Sequence, residues 1–233
     1  MGQGMDVCLA DGAECSSTRE RLEARFVRCL VCQAGLVLSG SKPAAVFGFR
    51  TQIEDPATAP SWMRRLHARR LIACYAHISR KLGVRIDFLG WREERAMLLV
   101  WRPRCVRDLL SGTAVQEFLA RNLLPAREHA FMRELGRRLR AYYSGRCLFP
   151  HEVGLALGYP VEDVSGFMTD GGRGARACGR WKVYGNVDEA LRRFEADEIV
   201  IEVSLGTDGD AATRVWTCDL THEYIHINAD YRS

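Results

Sequence analysis

No stretch of this sequence stays apolar for the roughly 18 residues that a membrane-crossing helix requires. The N-terminus also lacks a basic segment followed by an apolar core, so no secretory signal is expected. Cytoplasm is the expected compartment and a membrane is not an expected partner. Lysine is nearly missing, with three residues against thirty arginines. A disulfide framework is absent too: the nine cysteines are odd in number and scattered, which suits reduced thiols. Cys29-x-x-Cys32, the closest pair, sits in an amphipathic stretch without a second pair, so it is given no metal or redox role. The Gly-rich run at 170–179 does not end in Gly-Lys-Ser/Thr and has no strand-loop-helix context, so a phosphate-binding P-loop is not expected. No internal repeat is visible.

What is present is enough apolar material, 47% of 233 residues, to bury a core. The net charge of +4 hides an asymmetry: residues 61–150 carry eighteen Arg and one Lys against seven acids. Residues 197–233 carry eight acids against two arginines. A basic middle attracts acidic ligands or nucleic acid. Its arginines are spread over several helical patterns with no aromatic stacking platform between them, so a solvated face is expected rather than a nucleic-acid site.

Hydrophobic periodicity predicts a frayed tail at 1–17 and a helix at 18–34. A short strand follows at 44–49, then a long helix from Ser61 closed by Gly83. Strands at 84–89 and 96–101 read as a hairpin with a longer loop. Helices are expected at 103–110, 113–121 and 126–142, with two short ones after Pro150 and Pro160. A strand at 181–184 and a helix at 187–195 come next, and the rest alternates as β structure. The class is α+β: a mostly helical body with a small mixed sheet, plus a C-terminal β segment. The boundaries are 1–17 for the tail, 18–196 for the body and 197–233 for the β-rich end.

Within that end, His222-Glu223-x-x-His226 is written like a zinc-protease signature. The signature works only on a helix, where residues four apart share a face about 6 Å apart. Thr217, Thr221, Ile225 and Ile227 instead favour a strand, which separates the two imidazoles by about 13 Å. A catalytic zinc also needs a third protein ligand. No zinc and no other cofactor is expected.

The segment Glu198–Leu205, then Trp216–Ser233 with its closing Asn-Ala-Asp-Tyr-Arg-Ser, resembles the C-terminus of the ornithine acetyltransferase family. Those are the bifunctional glutamate N-acetyltransferases of arginine biosynthesis. The resemblance implies that Asn228 and Ser233 contact substrate. In that family a threonine liberated by self-cleavage is the nucleophile, with its own amine as base. Nothing here reproduces it, since Met168-Thr169-Asp170-Gly171 is not that motif, and the oxyanion-hole Thr-Gly pair is missing as well.

The body resembles a different family. Phe149-Pro-His-Glu-Val-Gly-Leu-Ala-Leu-Gly-Tyr-Pro-Val-Glu-Asp-Val-Ser-Gly-Phe167 and Gly179–Gly185 are similar to the bacterial Domain of Unknown Function 3793. Gly40–Phe47, Trp101-Arg102 and Leu135–Leu139 agree in order. The family implies a fold unit and no known chemistry. From the residues themselves two readings stand. In the first, Pro150 and Pro160 start two capped helices meeting at a Gly158-Tyr159-Pro160 corner, with Val153, Leu155, Leu157, Val164 and Phe167 as core. In the second, His151, Glu152, Tyr159, Lys182 and Tyr184 line one cleft beside the glycine loop. There His151 and Glu152 would move protons, or Lys182 and backbone N–H groups would hold an anion. The expected function is a non-enzymatic ligand-binding or regulatory domain whose partner is a small anion or a protein. The alternatives are an unrecognised enzyme using His151 and Glu152, or a fragment related to glutamate N-acetyltransferase.

Overall fold

The computed structural model describes residues 7–51, 60–178 and 182–188, with residues 7–18 described by backbone only. Asn228, Ser233 and the His222–His226 stretch lie outside the described residues, as does the expected C-terminal β segment.

The chain runs α1 (Val7–Ser39), β1 (Ala44–Arg50), α2 (Ser61–Lys81), β2 (Arg85–Arg92) and β3 (Arg95–Trp101). Next come α3 (Pro103–Leu110), α4 (Thr113–Arg121), α5 (Glu128–Tyr143), α6 (Val153–Ala156), α7 (Val161–Asp170), β4 (Ala177–Cys178) and β5 (Lys182–Val183). The α+β class stands as the sequence predicts. Strand pairing among the described residues is antiparallel in both sheets rather than mixed.

The main sheet has the order β1-β3-β2 and helices on both faces. Successive side chains of a strand alternate between faces. Ala45, Phe47 and Phe49 of β1, Ile86 of β2 and Ala96, Leu98 and Val100 of β3 therefore join a core with α1 and α2. Ala44, Val46, Leu89, Met97, Leu99 and Trp101 join the opposite core with α3 to α7. The central strand β3 is covered on both sides, which is why it reads as an unbroken apolar run rather than an alternation.

The first helix is longer than predicted at both ends, Val7–Ser39 against 18–34. No proline precedes Pro43 to stop it, and Ala10, Ala13 and Glu14 favour helix. The hairpin loop is shorter than predicted. Arg92 pairs with Arg95 across a two-residue turn, with Glu93 at φ 54°. Four charged residues in a row conceal strand pairing from a hydrophobicity pattern, because at a strand end they need no burial.

Arg102 ties the two cores together. Its Nε donates to the Val37 carbonyl at 3.0 Å and its Nη2 donates to the Leu38 carbonyl, placing a cation on the unsatisfied C-terminal carbonyls of α1. Its backbone N–H donates to the Pro43 carbonyl at 2.9 Å.

Candidate functional site

Three segments singled out in the sequence meet in space. Gly40–Pro43 packs beside Arg102, since a Cβ on Gly40 would lie 3.5 Å from the Arg102 Nε. The Gly158 corner abuts the same loop: its Cβ position is 3.7 Å from the Pro43 Cδ. The motif at 149–167 is thus seated against the sheet by the loop after α1.

His151 and Glu152 are neighbours in sequence, and the fold turns them to different tasks. Glu152 is 4% exposed, and its Oε1 accepts from Arg138 Nη1 of α5 at 2.5 Å. Arg138 Nε donates to Glu134 Oε1 at 2.8 Å, so one guanidinium serves two carboxylates. The arginines beside Glu134 hold its carboxyl down at about 2. His151 faces α7 instead. Its ring centroid lies 5.3 Å from that of Phe149 and 4.9 Å from that of Phe167. Burial pulls the imidazole below the ordinary histidine range, with the Glu152 charge opposing. A half-buried neutral imidazole between two phenyl rings is the result.

The second half of the site is built around two aspartates that the sequence reading did not single out. The Asp170 Oδ1 accepts the Gly172 N–H at 2.8 Å, and its Oδ2 accepts the Gly174 N–H at 2.7 Å. The Tyr184 hydroxyl donates to the same carboxylate. These bonds hold the Asp170 carboxyl below the usual range, the Tyr184 hydroxyl contributing most. Burial and Asp170 together push the Tyr184 hydroxyl up to about 12. Asp163, 4% exposed in the first turn of α7, accepts the Tyr184 N–H at 2.7 Å and the Gly185 N–H at 3.0 Å. The helix end permits this arrangement because Gly171 takes φ 66° and Gly172 φ 95°, a region that L side chains avoid.

Lys182 donates from Nζ to the Gly172 carbonyl at 3.2 Å and lies 6.0 Å from the Phe167 ring centroid. Phe167 therefore has His151 and Lys182 as neighbours, and the structure brings together His151, Lys182 and Tyr184 of the predicted set. Tyr159 packs, half-buried, against the core of α3 to α7. Glu152 is drawn away toward α5. The sequence did carry a signal for Asp170: an Asp before Gly-Gly favours a turn closed by its own side chain. Arg138 gave none, because the helical period places it among seventeen other arginines between residues 61 and 150.

Chemically the site offers a cation, a neutral imidazole and glycine N–H groups whose present acceptor is the protein's own carboxylate. Among the described residues no group of three or more His, Cys, Asp or Glu is placed to hold a metal ion. Cys29, Cys32, Cys74, Cys105, Cys147 and Cys178 are free thiols. Burial pushes the Cys29 thiol up to about 12, so it is not a nucleophile at neutral pH. No helix among the described residues is long and apolar enough to cross a membrane.

An α+β body, with helices on both faces of a three-stranded antiparallel sheet, is the class of protein that the described residues define. Residues 30–200 match the family described as Protein of unknown function (DUF3793), and the chain belongs to that family. Residues 176–233 match the ArgJ family. Short stretches are similar to curated proteins: 50% identity over 50 residues to the mitochondrial arginine biosynthesis bifunctional protein ArgJ of Meyerozyma guilliermondii, covering 21% of this chain and 12% of that one. Identity is 52% over 46 residues to the glutamate N-acetyltransferase of Methanopyrus kandleri, covering 20% and 12%. It is 61% over 36 residues to the ArgJ protein of Bifidobacterium longum, covering 16% and 9%. The chain spans about a tenth of the length of these relatives. No solved structure matches it.

Proposed function

We propose that this chain is a ligand-binding or regulatory domain of the cytoplasm without catalysis of its own, and that its ligand is a small anion held beside Lys182. The observation that carries this reading is the fate of Glu152. A general base needs a carboxylate free to take a proton, and Glu152 is buried against Arg138. Lys182 supplies the charge for an anion, and the Gly172 and Gly174 N–H groups supply donors if Asp170 yields them. Titration with phosphate or citrate, followed by amide shifts, tests it. Shifts at Gly172, Gly174 and Lys182 that vanish in Lys182→Gln are expected; an unmoved spectrum at millimolar anion overturns it.

A second reading rests on the ArgJ-like segment. Asn228 and Ser233 would then contact substrate and contribute to acetyl transfer only together with a protein that supplies the nucleophile. Incubating the chain alone with ornithine and N-acetylglutamate separates the two. Neither acetyl transfer nor self-cleavage is expected, and turnover would sink the non-catalytic reading.

A further inference from the structure

The opposite side of the molecule carries charge that the glycine-loop site does not use. α2 holds six Arg or Lys and two His in 21 residues, and no carboxylate. Acids engaged by its side chains sit at its margins. Glu23 accepts from the Tyr75 hydroxyl at 2.9 Å, and Glu94 meets Arg64 at 3.4 Å and Arg65 at 3.9 Å at the hairpin tip. Trp62, Leu66, Arg69, Ala73, His77 and Arg80 recur at helical spacing, and all are exposed. Trp62 is 62% exposed, an unusual placement for an indole unless something covers it.

Besides Trp62 on α2 itself, folding brings two more rings to these arginines. The edge strand β2 brings Trp91 to 5.2 Å from the Arg65 guanidinium and Phe88 to 5.0 Å from that of Arg69. The two rings meet edge to face at 5.4 Å. A guanidinium resting on a ring has already given up rotamer freedom, so less is lost when it meets a phosphate.

We infer that the outward face of α2 binds single-stranded nucleic acid, with phosphates against Arg69, Arg70 and Arg80 and a base stacked on Trp62. Trp62 to Arg80 spans about 27 Å at 1.5 Å per residue, room for several nucleotides. Arginine forks suit phosphate oxygens better than point charges do, and an exposed indole takes any base face. A duplex fits less well. α2 lies flat on the sheet through Ala68, Ile72, Tyr75 and Ser79, so it cannot enter a groove, and stacking on Trp62 needs an unpaired base. A membrane fits less well too, because the large exposed apolar side chains are Trp62 and Leu66 at one end and Leu82 just past the other, not a continuous stripe. This inference is independent of the anion beside Lys182.

Fluorescence anisotropy of the full chain with short labelled oligouridylate and oligothymidylate tests it. Binding should weaken with salt between about 50 and 200 mM, with a log–log slope near −2 for about three phosphates on a single strand. Arg70→Glu with Arg80→Glu should lower affinity at least tenfold and flatten the slope. Trp62→Ala should lower it severalfold with the slope unchanged, and Arg133→Glu on α5 should change nothing. If the double charge reversal alters the circular dichroism melt, Arg70→Gln with Arg80→Gln should still lower affinity severalfold. No binding at low salt, or a double variant that binds like the parent, overturns the inference. So does equal or tighter binding of duplex, of a polyglutamate peptide or of phosphatidylserine vesicles.

Discussion

Arg138 of α5 reaches Glu152, fourteen residues on, at 2.5 Å, and thereby pins the start of the 149–167 motif to the helix before it. The two partners are unequally placed, with side-chain exposures of 33% and 6%. Arg138→Ala leaves a buried carboxylate unpaired and should cost about 3 kcal/mol, whereas Glu152→Gln, which keeps a hydrogen-bonding oxygen, should cost about 1 kcal/mol. Urea unfolding of both variants and of the double variant measures the asymmetry.

Gly166 should invert the usual helix rule. Replacing a helical glycine by alanine ordinarily stabilises by about 1 kcal/mol. Here a Cβ would fall 2.3 Å from the Tyr184 Cδ1, so Gly166→Ala must displace the ring. Hydrogen exchange at residues 182–184 should quicken in this variant, together with a lower melting temperature.

Tyr184→Phe removes the largest influence on Asp170. The carboxyl should then titrate closer to the ordinary aspartate range, read from its side-chain carbon resonance. In the parent protein Asp170 is depressed on folding, so its contribution is present above the unfolded value and is lost as pH falls through the folded one. Tyr184 runs the other way. Its raised value makes its contribution present below about 10, the ordinary tyrosine pKa, and lost as pH rises toward about 12.

His151 binds its proton less readily when folded, because burial penalises the charge. Unfolding therefore gains a proton, and stability should fall as pH drops from about 7 through the ordinary histidine value near 6.5. In His151→Gln the urea midpoint should be flatter between pH 7 and 5.5, a window above the carboxylates' own titration.

Phe26 marks the centre of the α1–α2 core. It is fully buried, with its ring 5.0 Å from that of Phe49 and 5.2 Å from that of Tyr75. Phe26→Ala should cost about 3–5 kcal/mol. Chemical denaturation with an unchanged m-value would show that the cost is a cavity rather than a change of fold.

Much of this architecture is legible in the sequence. The helices from Ser61 and Pro103 and the strand from Ala44 begin where N-terminal and turn signals place them, because those signals act over a few residues. The hairpin turn at Glu93-Glu94 and the early start of α1 were not legible, since neither depends on hydrophobic spacing.

By itself the sequence determined the α+β class, the apolar strand ending at Trp101 and the cation-rich, acid-free composition of α2, because periodicity and composition are local properties. Only the tertiary structure decided how those residues are used. It took Glu152 from His151 and handed it to Arg138, folded the glycine loop around Asp170, and slid Trp91 and Phe88 beneath Arg65 and Arg69. Each of these pairings joins different elements, and the packing of helices on the sheet sets such distances where sequence spacing cannot.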